Sequence, residues 1–330
     1  MTERYSGGIA GSLALAFVFL VAASFAQEDS SGPAEESLDL IDFHNHVMRG
    51  LDPDRIVAEM DRAGVRKIVL MGLGTSQPER DDLALAAFEK HPDRIVPFLG
   101  LNGYRRFPET MLDYLDGRLA TGKFKGMGEL CARHYPFSRD TPGGHHVEAG
   151  DYTMPADSEE SLALFALAAK RGVILVIHME STPETVPALE RALEQCPGAK
   201  VIWAHQDPVK TYGGAEEKDA RRGDPALVAR LLDRFPNLYA DIAVGYESMF
   251  LEARDRELPA AWKDLYEKHS GRFLAGCDMP FLHGWDEGAF ARRAEWIRVW
   301  LRQLSPEARA KIAFENAESL LSPSPPEAPK

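Results

Sequence analysis

The chain has 330 residues, 45% hydrophobic and 27% charged, a balance that fits a globular protein and excludes a disordered, collagen-like or polytopic membrane chain. Thirty-eight Lys and Arg against 51 Asp and Glu leave a net charge of −13, which repels phosphate backbones and argues against nucleic acid as a partner. Three distant cysteines, Cys131, Cys196 and Cys277, are too few for a disulfide framework, so no disulfide-linked partner is expected and any metal must use His and carboxylates.

Residues 1–26 read as an export signal, with Arg4, the apolar run Ile9 to Phe25 and small residues before Gln27. The expected destination is the periplasm or the medium. The alternative is an uncleaved membrane anchor, since the run is close to spanning length. Residues 27–37 and 322–330 are polar, Pro- and Ser-rich, and read as a flexible linker and a disordered tail. The folded unit is therefore expected over 38–321.

Within it, short apolar runs alternate with amphipathic stretches. DLIDF (39–43) precedes a helix over Asp54 to Ala63 that Gly64 stops. RKIVLM (66–71), RIVPFLG (94–100) and FKGMGEL (124–130) follow, separated by helices near 79–90 and 108–120. VILVIHM (173–179), KVIWAH (200–205), NLYADIA (237–243) and RFLAGCD (272–278) complete eight strands. Apolar strands with intervening helices imply parallel pairing, and eight such units predict a single-domain (β/α)8 TIM barrel ahead of a doubly wound sheet. The stretch 131–157 reads as a long loop, a lid or pocket wall.

His44 and His46 stand two apart at the end of the first strand, so both imidazoles face one way. Glu129, His178, His205 and Asp278 fall at or near the ends of strands four, five, six and eight, the end where barrel enzymes place their chemistry. Imidazoles and a carboxylate converging on one mouth suit zinc or a similar divalent ion. Each residue alone has a structural reading as well, a hydrogen-bonded histidine or a turn-capping aspartate.

IDFHNHV (41–47), EMDRAGVRKIVLMG (59–72), KGMGEL (125–130), VIHME (176–180), WAHQD (203–207), NLYADIA, LAGCDMPF (274–281) and ENAESLL (315–321) resemble the amidohydrolase superfamily, in particular its amidohydrolase 2 branch of metal-dependent hydrolases and decarboxylases. The resemblance implies His44, His46, His178 and Asp278 as metal ligands, with His205 a ligand or a polariser of the substrate. Glu129 occupies a position where relatives use a carboxylated Lys, a Glu, or no ligand, so one or two ions are implied according to whether it bridges. It further implies Asp278 as proton acceptor from an activated water and His205 as stabiliser of developing charge, in a hydrolase acting on an amide, lactone or ester of a small molecule. Decarboxylation on the same cage is the alternative, and a non-catalytic exported binding protein a remote one. Arg133, His134 and Tyr135, beyond the fourth strand, are the expected substrate contacts.

Overall fold

The computed structural model describes residues 38–322, apart from 48–49, 51, 73–77, 103, 105, 136, 142–144, 207–223, 244–256 and 282–287. The expected signal and linker, and the tail beyond Ser322, lie outside the described residues. Among those described, no helix is long and apolar enough to cross a membrane.

The chain enters as β1 (Leu40–Asp42) and β2 (Asn45–Val47), two pieces of one strand interrupted at Phe43 and His44. Helix α1 (Pro53–Ala63) starts on Asp52, whose side chain accepts the Asp54 N–H, and ends on Gly64 at φ 62°, a left-handed cap that favours glycine. The winding continues through β3 (Val65–Gly72), α2 (Glu79–Lys90), β4 (Ile95–Gly100), α3 (Met111–Ala120) and β5 (Gly126–His134). After a hairpin, β6 (Phe137–Thr141) and β7 (His145–Ala149), come β8 (Tyr152–Thr153), α4 (Glu159–Arg171), β9 (Ile174–Met179) and α5 (Thr185–Gln195). Then follow β10 (Lys200–Trp203), α6 (Pro225–Arg234), β11 (Leu238–Asp241), α7 (Ala260–Lys268), β12 (Phe273–Leu274), β13 (Met279–Phe281), α8 (Ala289–Leu301), α9 (Pro306–Ala310) and α10 (Asn316–Leu321).

The strands pair in the order β12-β11-β10-β9-β5-β4-β3-β2-β13, each neighbour parallel to the next. Because β12 and β13 belong to one stretch of chain, the sheet returns on itself. Phe43 N–H donates to Ala275 O at 2.8 Å across this seam. The result is the (β/α)8 barrel expected from the alternation.

Alternation along each strand divides the core in two. Ile41, Phe43, Val69, Met71, Phe98, Val176 and Ile202 fill the barrel, and Phe314, Ala317, Leu320 and Leu321 plug it from below. Their strand neighbours, such as Ile68, Leu70, Leu175 and Ile177, face the helices. On β9 the inward series Ile174, Val176 brings His178 to the same side, one step nearer the mouth.

Two expectations need correction. The stretch 131–157 is no open loop: Cys131 to His134 extend β5, β6 and β7 pair antiparallel, and β8 returns against β5 with Arg133 opposite Thr153. Burial of Cys131 and Ala132 continues the strand pattern, and Pro142-Gly143-Gly144 separate two β-rich runs. His145 and His146, read as loop, accordingly lie in β7. The sixth strand also stops early, at Trp203, and His205 sits in a 3₁₀ turn at φ 60°, where the Asp241 carboxylate takes its N–H instead of a sheet partner.

Candidate metal centre and active site

Six of the expected residues meet at the C-terminal mouth of the barrel. His44 Nε2 and His46 Nε2 lie 3.2 Å apart. Asp278 Oδ1 stands 3.7 Å from the first and 3.4 Å from the second. Glu129 divides its oxygens between two sets: Oε2 is 3.8 Å from His44 Nε2 and 3.7 Å from His46 Nε2, whereas Oε1 is 3.0 Å from His178 Nδ1 and 3.3 Å from His205 Nε2. All are buried except Asp278, whose side chain keeps 17% of its exposure and so faces the opening.

These positions suit a divalent cation. With metal–nitrogen bonds of ~2.1 Å, a 3.2 Å separation between two imidazole nitrogens corresponds to an angle of about 100° at the ion. His44 Nδ1 is held 2.9 Å from Asp241 Oδ2, which turns Nε2 toward the cluster in the manner of the carboxylate–histidine support of a metal site. The charges agree. Burial favours a neutral Glu129, but His44 and His178 hold its carboxyl well below the ordinary range. Asp278 is likewise lowered against its burial, by a hydrogen bond with His46 and by the charges of His205 and His44. Burial opposes charge on His178 too, and Glu129 and Glu180 outweigh it, pushing the imidazole up to about 10. A cation bound among these groups would take over the role of the imidazole protons in offsetting the carboxylate charge.

Several positioning residues were not singled out from sequence. Asp241 Oδ1 also accepts the N–H of His205 (2.8 Å) and Ala243 (3.1 Å), so one buried carboxylate fixes both His44 on strand one and the turn carrying His205. Asp42 Oδ1 accepts the N–H groups of His44 (3.1 Å) and Cys277 (2.9 Å), joining strands one and eight beside their ligands. Burial pushes its carboxyl up to about 6. Glu180 Oε1 lies 3.5 Å from His178 Nε2 and accepts the Tyr135 N–H, and Asn102 donates to Glu129 Oε2. The available signal was an acid within an apolar strand run: Asp42 in DLIDF, Asp241 in NLYADIA and Glu180 in VIHME.

The three expected substrate contacts are placed differently. His134, at the end of β5, is buried with its ring 4.5 Å from that of His178, and burial together with the His178 charge pushes its pKa down to about 4, so it is neutral. Arg133 turns away from the cage. Its guanidinium lies over the Tyr135 ring, pairs with Asp151, and donates to the carbonyls of His134 and Tyr152. Both Arg133 and Tyr135 line a cavity of about 250 Å³ bounded by Met179, Thr182 and Ala188, between the barrel wall and α5.

A parallel eight-stranded barrel with a histidine and carboxylate cluster at its C-terminal mouth has the form of a barrel enzyme with a candidate metal site. Residues 33–322 match the amidohydrolase family Amidohydro_2, and the chain belongs to that family. Similar solved structures include a 2,6-dihydroxybenzoate decarboxylase in complex with 2,6-dihydroxybenzoate, 13% identical, covering 86% of this chain and 99% of its own, with a TM-score of 0.52. A dihydroxybenzoic acid decarboxylase from Polaromonas sp. JS666, with bound manganese and 2-nitroresorcinol, is 14% identical over 86% and 96%, TM-score 0.51. An L-hydantoinase from Arthrobacter aurescens is 14% identical over 86% and 70%, TM-score 0.50. At these identities the likeness is one of fold. A comparison with curated proteins finds no match.

Proposed function

We propose that this protein is a divalent-metal-dependent hydrolase acting on a carbonyl-type bond, an amide, lactone or ester, of a small molecule. The observation that carries the reading is the divided Glu129 carboxylate, one oxygen toward His44 and His46 and the other toward His178 and His205. A carboxylate so placed would serve two cations, His44, His46 and Asp278 being the residues that would hold one, and His178 and His205 those that would hold the other. Zinc fits the imidazole-rich donors, and manganese fits them as well. The ions supply Lewis acidity and an activated water at neutral pH.

The chain's own groups do the rest. Asp278, held anionic and most open to the mouth, accepts a proton from the attacking water and delivers it to the leaving group. His134, neutral and beside His178, presents a hydrogen-bonding ring to the substrate. Arg133 holds the Asp151 end of the pocket wall in place, carrying Tyr135 with it.

The test is turnover by chelator-stripped protein reloaded with Zn²⁺ or Mn²⁺, on a panel of lactones, esters, amides and aromatic carboxylates. Metal-dependent hydrolysis, lost in Asp278→Asn, is the expected result. CO₂ release without hydrolysis would assign the decarboxylase chemistry instead, and turnover unaffected by chelator would overturn the metal reading.

A further inference from the structure

The segment that delivers Asp278 lies outside the sheet ladder. Between β12 and β13, Ala275 to Asp278 run without strand pairing, and their main-chain groups are satisfied in other ways. Ala275 N–H donates to Ile312 O at 3.1 Å, and Cys277 N–H donates to Asp42 Oδ1 at 2.9 Å. The carbonyls of Cys277 and Asp278 both accept from a single nitrogen, Arg293 Nη1, at 2.9 and 2.5 Å. Asp278 itself has φ 45°, in the left-handed region that is unfavourable for a residue with a side chain. A backbone of this kind persists where its surroundings over-determine it, and such positions gather at functional sites.

We propose that Arg293 is the positioning residue for Asp278, clamping two successive carbonyls so that the strained turn aims the carboxylate at His44 and His46. Helix α8 makes this possible. Phe290, Ala294 and Ile297 bury one face against the barrel, which leaves Arg293 half-buried at the margin of that face, beside the end of strand eight. Arginine suits the task because its charge is permanent and its donors are set in a rigid plane. Without it, the two carbonyls lose their shared donor and Asp278 is free to relax to an ordinary φ, which carries its Oδ1 away from the His46 nitrogen 3.4 Å distant. The inference rests on the metal reading of the cage.

Zn²⁺ affinity of the stripped full-length chain, measured by competition with a chromogenic chelator, tests it without any substrate. Arg293→Ala is expected to weaken zinc by about 10-fold or more, the scale of losing an outer support of a ligand. Arg293→Lys, which keeps a cation within reach, is expected to recover most of that affinity. In an Asp278→Ala background, Arg293→Ala is expected to add less than about twofold, because a residue acting through Asp278 has nothing left to position. Should the alanine variant not fold, Arg293→Gln takes its place in both backgrounds. Wild-type protein that binds zinc while the Arg293 variants bind it equally well overturns the inference alone. Equal losses in both backgrounds also overturn it, in favour of general support of the fold. Wild-type protein that binds no zinc overturns the metal reading and this inference together.

Discussion

The proposed chemistry divides the residues at the barrel mouth between ligation and proton transfer. A His44→Ala, His46→Ala double variant removes two neighbouring imidazole ligands and is expected to purify with little metal. Asp278→Asn keeps a coordinating oxygen but no proton acceptor, so it is expected to retain more metal and lose at least ~10²-fold in rate. Metal analysis beside turnover checks the pair, and equal metal contents in the two variants would contradict the division of roles. Gly276 supplies a second test. A Cβ there would lie 2.9 Å from His44 Cβ and 3.2 Å from Ala243 Cβ, neither at the end of a flexible side chain. Gly276→Ala is expected to lower stability by ~1–3 kcal/mol and to weaken metal binding, as read by denaturant titration and zinc competition. The ligand types and spacings were legible in sequence, because His-Asn-His and the strand-end histidines stand out against apolar runs. Asp241 and Asp42 were not singled out: an acid within an apolar run marks each of them, but the N–H groups they accept from neighbouring strands are set only by the tertiary fold. Arg133 followed the fourth strand as expected, but a register irregularity between Cys131 and Arg133 interrupts the alternation of β5, and Arg133 joins Ala132 in lining the cavity beside α5.

At the scale of elements, the eight strands and their intervening helices followed from periodicity, with α2 at Glu79–Lys90 and α1 ending at Ala63 before Gly64. The misread portions are those where tertiary bonds replace local ones. His205 leaves the sheet because Asp241 captures its N–H, and β5 outruns its expected end because β8 returns to pair with it. The inside of the barrel is equally specified by absence of side chain. A Cβ at Gly126 would fall 2.2 Å from the Phe98 ring, which packs edge-on against Phe43 with centroids 5.7 Å apart. Gly126→Ala is therefore expected to destabilise by ~1–3 kcal/mol through overpacking. Combined with Phe98→Leu, the loss should be smaller than the sum of the two single losses, because trimming the ring relieves the clash. Additive losses in chemical denaturation would show that Gly126 and Phe98 do not compete for the same space.

At the scale of the whole molecule, the barrel brings together ligands whose sequence separations serve no local purpose: His44 and Asp278 are joined only because β13 pairs with β2 at the seam. The apolar run Ile9 to Phe25 adds the proposal of export. N-terminal sequencing of protein recovered from the periplasm or medium is expected to begin near Gln27, and a chain that keeps the run would argue for an anchor. Glu129 is proposed to join two cation sites in one cage. This role is tested most directly by counting divalent metal per folded chain after saturation and removal of excess, in wild type and in Glu129→Ala. About two equivalents are expected in wild type and one or fewer in the variant, in keeping with one carboxylate serving both sites. One equivalent or none in wild type, unchanged by the substitution, would contradict that role.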